Sequence, residues 1–182
     1  MIRDFRTQKL RDQSGFTLIE MLVVVIILGI LAMIIVPQIT VSTDDARLNA
    51  LQTNLSTVRS AIELYAAQHS NVYPGLKDST TGADAADDAA AKTAFLAQMT
   101  LYSNIAGVTS STKAAAFPFG PYLKLGPNTL PENEYATSAD VACDLAQNDL
   151  AAARAVSGGG EGWQYLPQLG LFFPNDATHL AL

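Results

Sequence analysis

The sequence is poor in the residues on which most chemistry depends. It has one cysteine and two histidines in 182 residues, so an intrachain disulfide is excluded and a histidine-rich metal centre has too few ligands. Cys143 reads best as a small buried hydrophobe, with an intermolecular bridge or a reactive thiol as alternatives. No Gly-x-Ser-x-Gly or His-Glu-x-x-His pattern occurs. The glycine run Ser157-Gly158-Gly159-Gly160-Glu161-Gly162 lacks the lysine and Ser/Thr of a phosphate-binding loop. Basic residues are also scarce after the first few positions. Arg3, Arg6, Lys9 and Arg11 stand near the start, leaving 7 of the 11 basic but 15 of the 17 acidic residues for the rest. An acidic body without a basic stripe argues against a nucleic-acid partner.

The most informative absence is local. From Met21 to Val36 there is no polar side chain, and Phe16, Leu18 and Ile19 extend the apolar run towards the start. As a helix, Phe16 to Ile39 covers about 36 Å, against a hydrocarbon core of roughly 30 Å. The run is long enough to span a bilayer. Its basic flank predicts a single pass with the N-terminus cytoplasmic and the remainder outside. A secretory signal would carry its small-residue cleavage site after the apolar segment. That region reads Val36-Pro37-Gln38-Ile39-Thr40, so the segment is expected to remain in the mature chain. Pro37 removes one ladder bond and predicts a kink.

Beyond Pro37, Leu48, Leu51, Leu55, Val58, Ile62 and Tyr65 recur at spacings of three and four. This is one seam of an amphipathic helix. It faces either the chain's own sheet, the preferred reading, or a homomeric coiled coil. Thr43, Asp44 and Asp45 suit the start of this second half, and Asn71, Pro74 and Gly75 suit its end.

From Leu76 to about Ser157 a long connection with local structure is expected. Phe95, Leu96, Met99 and Tyr102 predict one face of a short helix, with Asp84, Asp87 and Asp88 near its solvated start. These aspartates lack the ligand spacing of a calcium loop. The segments 117–123 and 126–131 read as proline-punctuated packed turns. Asp140 to Arg154 is expected to add another short helix. Trp163-Gln164-Tyr165-Leu166 and Leu171-Phe172-Phe173, separated by Pro167-Gln168-Leu169-Gly170, predict an antiparallel hairpin covering the Leu48–Tyr65 seam. The fold class is α+β, with one long helix, transmembrane then amphipathic, packed on a small antiparallel sheet.

The basic leader, Gly15-Phe16-Thr17-Leu18-Ile19-Glu20 and the apolar run together resemble the class III signal of type IV pilins and type II secretion pseudopilins. The resemblance implies that a prepilin peptidase cuts after Gly15 and methylates Phe16. Residues 1–15 would be a removed leader, 16–39 a transmembrane helix and filament core, and 40–182 an extracytoplasmic globular domain. Glu20 is the single charge in the apolar helix. Either its carboxylate snorkels to the headgroups, or it pairs with the Phe16 amine of a neighbouring subunit, where each charge offsets the other's desolvation.

Downstream, Ala61-Ile62-Glu63-Leu64-Tyr65, Asn71-Val72-Tyr73-Pro74, Phe119-Gly120-Pro121-Tyr122-Leu123 and Gly162-Trp163-Gln164-Tyr165 look most like the major pseudopilin group. The implied function is that of a structural, non-enzymatic subunit of a pseudopilus for protein export. The alternatives are a pilus subunit acting in adhesion, motility or DNA uptake, and a membrane-anchored enzyme or binding module. Implied partners are copies of itself, other pilins or pseudopilins, the prepilin peptidase, an inner-membrane assembly platform with its cytoplasmic ATPase, and lipid before assembly. The implied location is the bacterial inner membrane, then a filament in the periplasm or at the cell surface. No cofactor is expected. Major pseudopilins often hold calcium in a C-terminal loop, but Pro174-Asn175-Asp176-Ala177-Thr178-His179-Leu180 offers only Asp176 as a carboxylate.

Overall fold

The computed structural model describes residues 15–149, 160–176 and 178–182, without the side chains of 34–42. The expected leader, apart from Gly15, lies outside the described residues. Two compact units divide between Asp44 and Asp45, and helix α1 (Leu18–Gln68) contributes to both.

In the first unit, α1 is a run of Leu, Val, Ile and Met whose side chains from Leu18 to Met33 are exposed. The helical assignment continues through Pro37, while that residue's side chain lies outside the described set. Among the described residues, no helix is long and apolar enough to cross a membrane.

In the second unit, the rest of α1 buries the predicted seam. Leu51, Leu55, Val58, Ile62 and Tyr65 are buried, joined by Ala61 and Ala66, and Leu48 is half-buried. The helix ends where expected. Ser70 and Asn71 take positive φ values of 56° and 64°, and the Asn71 N–H returns to the Ala66 carbonyl at 2.8 Å. The Ala66 carbonyl, which also accepts from the His69 N–H at 3.1 Å, is thus tied to the turn before Pro74 bars further helix.

Helix α2 (Asp88–Thr100) fits the expected short helix. Asp87 is its N-cap, accepting from the Ala90 N–H at 2.8 Å, which satisfies one of the free donors of the first turn. Phe95 and Met99 face inward as the spacing predicts, while Tyr102 belongs to the next element. Strands β1 (Tyr102–Ser103) and β2 (Thr109–Ser110) form an antiparallel pair. The Gln98 amide ties this region together: it accepts from Gly75 N–H and donates to the carbonyls of Lys77 and Gly107, each at 2.8 Å.

The predicted hairpin is present as β4 (Trp163–Leu166) and β5 (Leu171–Pro174), in register Trp163↔Pro174 to Leu166↔Leu171. The short helix expected from Asp140 is corrected. Val141–Cys143 is strand β3, parallel to β4, and Asp144 to Asp149 is not helical; the remainder of that expected helix lies outside the described residues. Val141 and Cys143 both point inward, the period of a strand rather than a helix. The sheet β3-β4-β5 is therefore mixed, within the expected α+β class.

The α1 seam, Phe95 and Met99 from α2, and Trp163, Tyr165 and Phe172 from the sheet form one core. Phe95 stacks on Tyr165 with centroids 4.2 Å apart, and Trp163 on Phe172 at 5.0 Å. The seam thus packs against the chain's own sheet and α2. Both polar aromatic tips are satisfied: Trp163 Nε1 donates to the Pro131 carbonyl at 2.8 Å and the Tyr165 hydroxyl to that of Pro74 at 2.9 Å. Each fully buried large side chain contributes about 1.5–3 kcal/mol. The turn at Gly120 demands glycine, since φ is +74° and an added Cβ would lie 2.6 Å from the Leu101 carbonyl oxygen.

Candidate functional site

The candidate site is the start of α1. Gly15 is exposed, with nothing among the described residues within 4 Å of where a Cβ would stand, and Phe16 is 71% exposed. Among the described residues, nothing covers the bond between them.

Helix α1 begins at Leu18 because Thr17 caps it. The Glu20 carboxylate, through Oε2, accepts from the Thr17 backbone N–H at 2.8 Å and from the Thr17 hydroxyl at 2.6 Å. The Glu20 N–H donates back to Thr17 Oγ1 at 3.3 Å. This reciprocal pair is a capping box, in which Ser/Thr and a Glu three residues on satisfy two free amide donors. A negative charge in the first turn also complements the helix dipole. Glu20 therefore has a structural task beyond the assembly charge read from the sequence. The signal was present: Thr17-Leu18-Ile19-Glu20 before an apolar run is the capping-box pattern. Phe16, Glu20, Val23 and Val24 recur at helical spacing on one side, so the carboxylate sits in an otherwise apolar stripe.

Residues 10–36 match the family described as the prokaryotic N-terminal methylation motif. The chain carries a prepilin-type methylation motif. Gly15, Phe16, Thr17 and Glu20 all fall inside it. About a third of the chain is similar to proteins named type II secretion system core protein G. Over 55 residues it is 46% identical to the type II secretion system core protein G of Pseudomonas aeruginosa, covering 30% of this chain and 39% of that protein. Over 67 residues it is 40% identical to the core protein G of Vibrio cholerae, covering 37% and 45%, and over 64 residues 36% identical to that of Klebsiella michiganensis, covering 35% and 44%. The chain spans less than half the length of these curated relatives. No solved structure matches it.

The other chemically capable residues fall outside residues 10–36 of the motif in sequence. Cys143 is buried, and burial pushes its thiol up to about 12, so it is protonated and poorly nucleophilic at neutral pH. His69 is 1% exposed. Its Nδ1 lies 2.9 Å from the Tyr65 carbonyl and its Nε2 3.1 Å from Ser103 Oγ, so it closes the end of α1 as a helix-terminal histidine. Burial holds its pKa below the usual imidazole range. Asp84 pairs with Lys77 at 2.6 Å, Asp87 caps α2, and Asp88 accepts from the Leu145 N–H at 2.8 Å. The three aspartates do solvent-side and capping work. Among the described residues, no group of three His, Cys, Asp or Glu side chains is placed to hold a metal ion.

Proposed function

We propose that this chain is a structural subunit of a type II secretion pseudopilus, made as a membrane-inserted precursor. The observation that carries the reading is the coincidence of the methylation motif with an exposed Gly15–Phe16 bond and an apolar helix bearing the single charge Glu20. The precursor crosses the inner membrane once through residues 16–39, with the basic leader cytoplasmic and the acidic domain periplasmic. A prepilin peptidase removes residues 1–15 and methylates Phe16.

Cleavage changes the electrostatics of the helix start. Before it, the Glu20 carboxylate is stabilised by Thr17. After it, each subunit also carries a cationic amine at Phe16. Pairing of that amine with Glu20 of a neighbouring subunit offsets two desolvation costs and sets axial register. Like helices packed together keep their apolar surface from water once the subunits leave lipid. Pro37 supplies a bend or local melting of α1 in that packing. The partners are other copies and other pseudopilins, an assembly platform and its ATPase. Resemblance to proteins named as type II secretion core components favours a pseudopilus over a pilus.

Electron microscopy of cells overproducing the chain, with site-specific crosslinking between subunits near Phe16, tests this reading. Filaments containing the processed chain are expected. An intact leader on a chain that never crosslinks to its own copies would overturn the filament role in favour of an anchored module.

A further inference from the structure

The C-terminal tail is gathered onto one carboxylate. Strand β5 ends at Pro174, and the Asn175 N–H donates to the Gly162 carbonyl at 3.0 Å. The same carbonyl accepts from Asn133 Nδ2 at 2.8 Å. Asn133 is fully buried, and its Nδ2 also lies 3.3 Å from Asp176 Oδ2. Its backbone N–H reaches the Ser138 carbonyl at 2.9 Å. An added Cβ at Gly162 would collide with that Ser138 oxygen. Loop 133–138, the start of β4 and the tail therefore meet at one point.

Asp176 faces hydrogen-bond donors there. Its Oδ1 accepts from the Thr178 N–H at 3.1 Å, the His179 N–H at 3.0 Å and His179 Nδ1 at 2.7 Å. The two side chains are 16% and 12% exposed, and the His179 ring packs on Tyr135 with centroids 4.1 Å apart. Calcium takes 6–8 oxygen ligands in loops of this kind. Here the tail's single side-chain carboxylate accepts three N–H donors on Oδ1 and one on Oδ2, and their positive ends compete with a cation for its lone pairs. Asn175 Oδ1 is buried without a partner among the described residues, but one neutral oxygen beside an engaged carboxylate falls well short of that set. The residues present do not fit calcium.

We propose that Asp176 and His179 form a cation-independent lock on the tail, with the imidazole donor standing where an acidic loop would use a divalent ion. Both the neutral Nδ1–H tautomer and the imidazolium donate to Asp176, so the lock does not depend on His179 carrying a charge. It joins the tail to loop 133–138 through Asn133 and Tyr135, and it holds whether or not the chain forms a filament.

Hydrogen exchange of the tail residues 174–182, read by mass spectrometry on the full chain in detergent, tests the lock. Wild type is expected to exchange alike in EGTA and in about 5 mM calcium chloride, above the ~1 mM dissociation constants of weak extracellular sites. His179→Ala and Asp176→Ala are each expected to speed exchange there by about tenfold without speeding it in α2. His179→Asn keeps a side-chain amide donor and should restore most of the protection. Slower wild-type exchange in calcium, or unchanged exchange in His179→Ala in EGTA, would overturn the proposal. Loss of protection in His179→Asn equal to that in His179→Ala would overturn donation as its basis.

Discussion

The Thr17 hydroxyl donates to the Glu20 carboxylate at 2.6 Å, and the Glu20 N–H donates back to the Thr17 oxygen at 3.3 Å. One carboxylate thus starts the helix and supplies the charge proposed for assembly, and two substitutions separate these tasks.

Glu20→Gln keeps an acceptor at the third helical position, which a capping box tolerates, but removes the charge. It should leave leader cleavage largely intact and impair assembly, and Glu20→Ala should do the same. Thr17→Ala should instead fray the first turn at a cost of about 1 kcal/mol and retain the charge. Filament yield and leader cleavage, compared on immunoblots across the three variants, check this. Normal yield from Glu20→Gln would remove the ion-pair role.

Phe95 is fully buried and stacked on Tyr165. Phe95→Ala should destabilise the globular unit by about 3–5 kcal/mol. The single tryptophan, Trp163, is itself fully buried, so its fluorescence during urea unfolding reports the loss directly.

Gly120→Ala should cost more than about 1 kcal/mol, because it combines a left-handed backbone with a close approach to the Leu101 carbonyl. The same unfolding measurement applies. Gly15→Ala, at a position with open space, should leave stability unchanged and affect only processing.

The buried thiol of Cys143 should resist iodoacetamide in the folded chain and react once urea unfolds it. Mass spectrometry of the alkylated peptide reads the difference. Rapid labelling of the folded chain would contradict the buried, protonated assignment.

His69 sets the acid limb of stability near neutrality. Its folded pKa lies below 6.5 because burial disfavours the imidazolium, so the unfolded chain binds more protons as pH falls. The contribution is complete above 6.5 and is lost as pH falls through the folded value. His69→Gln should flatten the decline in melting temperature between about pH 7 and pH 5. Asp140 and Asp176, whose carboxyl pKa values are lowered by hydrogen bonds from Lys92 and His179 against the opposing effect of burial, act in a separate window below about pH 4.

The methylation motif was legible because it rests on residue types in fixed order, Gly15, Phe16 and Glu20 ahead of an apolar run. The α1 seam and the β4–β5 hairpin were legible because their periods of 3.6 and 2 extend over enough residues to be distinguished. Strand β3 was not. Three residues are too few to show a period, and the alanine-rich chain after it has the composition of a helix. What makes Val141–Cys143 a strand is its pairing with Trp163–Tyr165, a contact that no local pattern encodes. The tail lock is half-legible, since Asp176 and His179 are three apart, while its anchor Asn133 is separated from Asp176 by 43 positions.

The central claim is that this chain is processed at Gly15 for assembly. Intact-mass and N-terminal peptide mass spectrometry of the protein from membranes of a host bearing a prepilin peptidase tests it most directly. A chain beginning at N-methylated Phe16 is predicted. A chain that retains Arg3 to Gly15, or that begins at an unmodified residue elsewhere, contradicts the account.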